Sequence, residues 1–264
     1  MSLVFAAVVP HSPILLPSVG REHVERLKKT VESLKRLEQE LYAAAPQTIL
    51  IISPHGPVES EHFTIDVNDR YVCNLKEFGV MESPLQCGAD MKLVNDLREH
   101  CEDRKLPIML RSEESLDYGV VVPLTYLAAH LNKISIIPLY PSLLDAKAHF
   151  EFGRAIQEVV MNSNRRVAAI ASADLSHRLT ENAPGGFSPA AKAFDEKIIQ
   201  LIGSKNSAGL IGFDAKAARE AGECGLSTLV AFAGILDRVE AVPEILSYEG
   251  PFGIGYLVAH YTFA

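Results

Sequence analysis

Residues 3–9 are continuously apolar and rich in Val, the pattern of a strand buried on both faces. Residues 48–53, 133–139 and 166–172 repeat it with Ile, Leu, Val and Ala. Between these runs, apolar positions recur at three- and four-residue steps. The clearest case is 20–42, where Val24, Leu27, Val31, Leu34 and Leu41 form one face and Lys28, Lys29, Glu32, Lys35 and Arg36 the other. Similar patterning predicts helices over 90–101 and 149–161. A helix over 123–131 would carry Pro123 early, where its missing N–H costs least. Ser188 is expected to cap a helix with Pro189 at its first position, Asp214 to cap a short one, and 226–239 to form another. Residues 63–67, 70–73 and 107–110 suit short extended pieces near a sheet edge, and 245–263 suits strand with a Gly-rich break at 250–255.

Strand alternating with helix predicts an α/β fold. No repeat, low-complexity tract or linker interrupts the chain, so one domain is expected over 1–264. Its central, mostly parallel sheet should be flanked by helices, with a ligand cleft at the strand ends.

Composition narrows the function classes. With 264 residues, 48% of them hydrophobic, folding should bury roughly three quarters of the unfolded chain's surface. A net charge of −8 offers no excess of Lys and Arg for phosphates, so no nucleic-acid partner is expected. No apolar run approaches the ~18 residues of a membrane span, and the first ten residues lack the basic region of a signal peptide. Cys73, Cys87, Cys101 and Cys224 show no CxxC spacing, which predicts a reduced, cytoplasmic protein without disulfides or a Cys-rich zinc site. A homo-oligomer is the default expectation for a soluble enzyme.

Three histidines follow predicted strands: His11, His55 and His177. His11 in Val9-Pro10-His11-Ser12-Pro13 and His55 in Ser53-Pro54-His55-Gly56-Pro57 sit on stiff, proline-flanked loops. Either alone reads first as a turn histidine bonded to backbone; two after neighbouring strands suggest a pair of imidazole metal ligands. The segment Ala221-Gly222-Glu223-Cys224-Gly225 offers a third. Glu223 would complete a two-His-one-carboxylate face open to Fe(II) and oxygen, and Cys224 would make a softer site for zinc, copper or a redox role. Glu223 also suits a helix-start carboxylate, and Glu249 is a spare acid in the Gly-rich tail. In Ala171-Ser172-Ala173-Asp174-Leu175-Ser176-His177, His177 stands where a general base is useful, with Asp174 beside it. The same residues could build only an Asx-type turn. His23, His62, His100, His130, His149 and His260 are read as solvated or packed. There is no G-x-S-x-G elbow and no phosphate-binding loop.

Taken together, Pro10-His11-Ser12-Pro13, Ser53-Pro54-His55-Gly56, Leu116-Asp117-Tyr118-Gly119 with Val122-Pro123-Leu124, Asp174-Leu175-Ser176-His177 and Gly222-Glu223-Cys224-Gly225 resemble a known family. It is that of the LigB-like class III extradiol ring-cleavage dioxygenases, with Memo-like proteins as relatives. The resemblance implies a non-haem Fe(II) held by His11, His55 and Glu223, with His177 as the catalytic histidine, a catechol-type aromatic diol as substrate and O2 as co-substrate. It also implies two departures. Tyr118 stands where such dioxygenases commonly carry a histidine against substrate or oxygen. Cys224 beside Glu223 matches the cysteine that Memo-like relatives place near their metal, which makes a His-His-Cys site and a non-catalytic or redox role the alternative. A zinc hydrolase on the same residues is a third reading.

Overall fold

The computed structural model describes residues 2–73, 75–80, 87–113, 115–131 and 133–263, and of Cys73 only the backbone. The chain runs β1 (Leu3–Val9), α1 (Pro17–Gly20), α2 (Lys28–Ala44), β2 (Thr48–Ile52), β3 (Phe63–Asp66), β4 (Val72–Cys73), α3 (Met91–Asp103), β5 (Ile108–Arg111), β6 (Ser115–Leu116) and α4 (Tyr118–Leu127). It continues through β7 (Ser135–Tyr140), α5 (Ala146–Asn162), β8 (Val167–Ser172), α6 (Ala190–Gly203), α7 (Ser207–Ile211), α8 (Ala215–Ala221), α9 (Leu226–Ile235), β9 (Ala241–Glu249) and β10 (Tyr256–Phe263).

The four apolar runs become the centre of an eight-stranded, mostly parallel sheet in the order β5-β3-β7-β2-β8-β1-β10-β9. β7, β2, β8 and β1 lie side by side and parallel. Burial on both faces explains their unbroken hydrophobicity. Along β1 the side chains alternate: Ala6 and Val8 join one core, Phe5, Ala7 and Val9 the other. The first core packs under α3, α5, α6 and α9, the second under α2 and α4. Each fully buried Leu, Ile or Phe contributes roughly 1.5–3 kcal/mol. Among the described residues no helix is long and apolar enough to cross a membrane.

Several expected elements differ. The helix expected over 20–42 is broken, with α1 ending at Gly20, a 3₁₀ stretch Arg21–Leu27, and α2 beginning at Lys28. Gly20 packs so tightly that a Cβ would lie 2.0 Å from the Ile14 carbonyl oxygen, and Arg21 turns out of the helix at φ 47°. The helix expected over 123–131 starts five residues earlier, because Asp117 caps it by accepting the Gly119 N–H at 2.8 Å. Pro123 is therefore inside α4 rather than at its start. The tail folds as the antiparallel hairpin β9–β10 across 250–255, and β9 begins four residues ahead of the expected 245. Residues 72–73 pair with β6 in a separate two-stranded ladder.

Candidate metal centre

β2, β8 and β1 are neighbours and parallel, so their C-terminal ends arrive together. His11 follows β1 and His55 follows β2, while β8 ends at Ser172 and runs into Asp174 and His177. His11 is buried and His55 half-buried. Their Nε2 atoms are 2.9 Å apart, with the rings edge-to-face at 4.6 Å. From the loop between α8 and α9, Cys224 brings Sγ to 3.4 Å from His11 Nε2. Among the described residues, His11, His55 and Cys224 form the group that could hold a metal ion, their donor atoms all within 4.8 Å of one another.

Specific contacts fix each donor. Asp174 Oδ1 accepts the His11 N–H at 2.9 Å. Ser53 Oγ accepts the His55 N–H at 3.3 Å and donates to Asp117 Oδ1 at 2.6 Å. Gly56 lets that turn cross Tyr140, whose ring would lie 2.0 Å from a Cβ. The Cys224 loop leaves α8 through Gly222, in the left-handed region at φ +65°. It is tied to the loop after β8: the Ser176 hydroxyl donates to the Ala221 carbonyl at 3.1 Å and Arg178 Nη1 to the Glu220 carbonyl at 3.1 Å.

Burial sets the electrostatics. Desolvation, with His177 adding to it, lowers His11 to about 3. His55 falls to about 3 through desolvation, then the charges of His11 and His177. Both rings are thus neutral near pH 7, the form that ligates metals. Desolvation raises Asp174 to about 6, against the His11 N–H and His177, and its Oδ2 lies 3.8 Å from His11 Nε2. Burial also pushes the Cys224 thiol well up, helped by Asp174 and Glu223. Tyr118 stacks on His55 at 4.4 Å and lies 5.9 Å from His11. Its desolvated hydroxyl is held above the usual phenol range, so it stays protonated and able to donate.

The donor set fits a divalent cation. Two neutral imidazoles and a thiol at 2.9 and 3.4 Å spacing can be bridged by ordinary metal–ligand bonds of about 2.0–2.3 Å. The thiolate inclines the set toward iron, zinc or copper over magnesium or calcium.

The sequence candidates separate here. His11, His55, Cys224, Tyr118, Asp174 and His177 are brought to one place. Glu223, expected as third ligand ahead of Cys224, is not in the donor group: its Oε2 accepts the Leu226 N–H at 2.6 Å. It serves the start of α9, the helix-start role the sequence also allowed. Glu249 is likewise occupied, accepting the Thr30 N–H at 2.8 Å and hydroxyl at 2.7 Å. Among the remaining histidines, His149 is buried and bonded to Asp145 O, while His100, His130 and His260 pair with Glu158, Glu38 and Glu40. Ser53, Asp117 and Ser172 were not singled out by sequence as supports, because their partners lie 53 to 161 residues away or depend on a cap.

Comparisons with known proteins bear on the fold and the family. The solved structure of the uncharacterized protein JW3007 from Escherichia coli K12 superposes with a TM-score of 0.70 at 17% identity, covering 98% of this chain and 99% of that one. At that identity the likeness concerns the fold. Protein CA_C1420 of Clostridium acetobutylicum is 29% identical over 266 aligned residues, covering 97% of this chain and 57% of its own length, so this chain spans a little over half of that relative. The family described as the catalytic LigB subunit of aromatic ring-opening dioxygenase matches residues 5–259. With nearly its whole length matched, the chain belongs to the LigB family.

Proposed function

We propose that this protein is a non-haem, Fe(II)-dependent extradiol dioxygenase that opens a catechol-type ring with O2. The observation that carries the reading is the convergence of His11, His55 and Cys224, with Tyr118 and His177 beside them, at the strand ends of a LigB-family fold. His11, His55 and Cys224 would hold the cation. Bound there, ferrous iron supplies the coordination of a diol and the electron exchange with O2 that side chains cannot provide. His177 is the base that takes a diol proton and returns it. The Tyr118 hydroxyl donates a hydrogen bond to an oxygen atom of the reactants, and Asp174 holds the His11 backbone. We place the protein in the cytoplasm as a homo-oligomer, a compartment where ferrous iron and the thiol both stay reduced. Anaerobic loading with Fe(II), then oxygen and a panel of catechols, should consume O2 and give yellow ring-opened product. No product from any catechol, with iron verified in the protein, would sink the proposal.

A second reading rests on one feature, the thiol in place of the carboxylate. A His-His-Cys site suits a non-catalytic or redox metal-binding protein of Memo-like type. Metal retention without oxygen uptake on any diol would favour it.

A further inference from the structure

Pro123 stands four residues beyond Gly119 in α4. In an uninterrupted helix that position would donate its N–H to the Gly119 carbonyl, and proline has none to give. The carbonyl accepts the Ser172 hydroxyl instead, at 2.5 Å. A serine hydroxyl carries a single hydrogen. With it committed to Gly119, Ser172 Oγ can meet His11 Nδ1, 2.9 Å away, only as an acceptor. Ser172 is fully buried, so bulk water does not compete for either bond. The neutral His11 ring must then carry its hydrogen on Nδ1, and Nε2 is a bare lone pair.

We propose that Ser172, oriented by the Gly119 carbonyl that Pro123 leaves open, is a positioning residue that locks His11 as the Nδ1–H tautomer and keeps its Nε2 free for a cation. The proposal rests on the metal-site reading above for its purpose, though not for its geometry. It gives the segment from Asp117 to Pro123 a second role, since the helix that presents Tyr118 also fixes the proton of a ligand one strand away. It also makes the two imidazoles unequal. Among the described residues His55 Nδ1 has no hydrogen-bond partner. Since His11 Nε2 is bare, the 2.9 Å contact between the two Nε2 atoms is a hydrogen bond only when His55 holds its hydrogen on Nε2. The metal-free rings therefore carry opposite tautomers. A cation leaves His11 unchanged and moves the His55 hydrogen from Nε2 to Nδ1 by exchange with water.

The test is a two-bond ¹H–¹⁵N spectrum of the histidine-labelled, metal-free protein near neutral pH, before and after Zn(II) alone. His11 should show protonated Nδ1 in both states, with Nε2 bare before Zn(II) and ligated after it, and His55 should switch. Ser172→Ala should mix the His11 tautomers and weaken Zn(II) binding roughly 10–100-fold, the usual cost of losing a ligand's hydrogen-bond partner, with Ser172→Thr restoring it. A wild-type His11 with its hydrogen on Nε2 overturns the proposal. So does a folded Ser172→Ala protein that binds Zn(II) within about twofold of wild type. Should that variant not fold, the wild-type spectrum alone decides. Wild-type protein that takes up no Zn(II) would overturn the metal site, while the tautomer would still be read from the same spectrum.

Discussion

Glu223 and Cys224 are adjacent in the chain yet make unrelated contacts: Cys224 Sγ reaches 3.4 Å from His11 Nε2, while Glu223 Oε2 takes the Leu226 N–H at 2.6 Å. A single peptide step separates a donor at the metal centre from a support at the start of α9.

The two residues should therefore fail differently. Cys224→Ala should lose at least ~10–100-fold in metal affinity, the range already seen for supporting partners, with the fold intact. Glu223→Ala should keep its metal and lose about 0.5–2 kcal/mol of stability, as helix-start deletions do. Elemental analysis beside urea melts decides this; metal loss confined to the glutamate variant would assign the ligand to Glu223.

Metal uptake should release about one proton near pH 7. His11 and His55, lowered to about 3, have none to give, whereas the buried Cys224 thiol sits well above its usual range and must lose its proton to ligate. Calorimetry of Zn(II) binding in buffers of different ionisation enthalpy counts that proton. Cys224→Ser should release almost none, and a wild-type count near zero would mean the thiol is not a ligand.

Tyr118 and His177 should affect turnover more than binding. Tyr118→Phe keeps the ring stacked on His55 and removes only the hydroxyl. His177→Gln removes the base. Metal content should stay at the wild-type level in both, and oxygen uptake with a responsive catechol should fall about 10²–10⁴-fold for His177→Gln. Undiminished uptake in that variant would take His177 out of the reaction.

Asp195 should make stability fall with rising pH. Burial raises it to about 6, against the donating Tyr248 hydroxyl and Ser176 N–H. Between pH ~4, where the unfolded carboxyl titrates, and pH 6 the folded chain keeps a proton that the unfolded chain has lost. That stabilising contribution is complete below this window and gone above it. Relative to Asp195→Asn, the wild type should lose on the order of 2–3 kcal/mol across the window. Urea melts of both proteins at several pH values measure the gap, and a gap independent of pH would contradict the assignment.

The central strands could be read directly because burial on both faces leaves an unbroken apolar signature, as in β1 and β2. His11 and His55 stood out because prolines flank them at strand ends. The choice between Glu223 and Cys224 was not legible, since it depends on Gly222 at φ +65° and on the ties from Ser176 and Arg178. Pro123 misled because proline prefers a first turn, yet the Asp117 cap lies six residues upstream and its bond to Gly119 starts the helix there. Ser172 gave no signal of its own. Its meaning arises only when His11, 161 residues away, and Gly119 close around it.

Because His11 and His55 extend from β1 and β2 on either side of β8, their spacing is inherited from the stiffest portion of the architecture. Outlying connections, such as residues 180–184, carry no such burden and are free to diversify. Changes in what the protein acts upon should accordingly accumulate in that periphery, and attempts to redesign its selectivity should begin there, leaving the inner frame untouched.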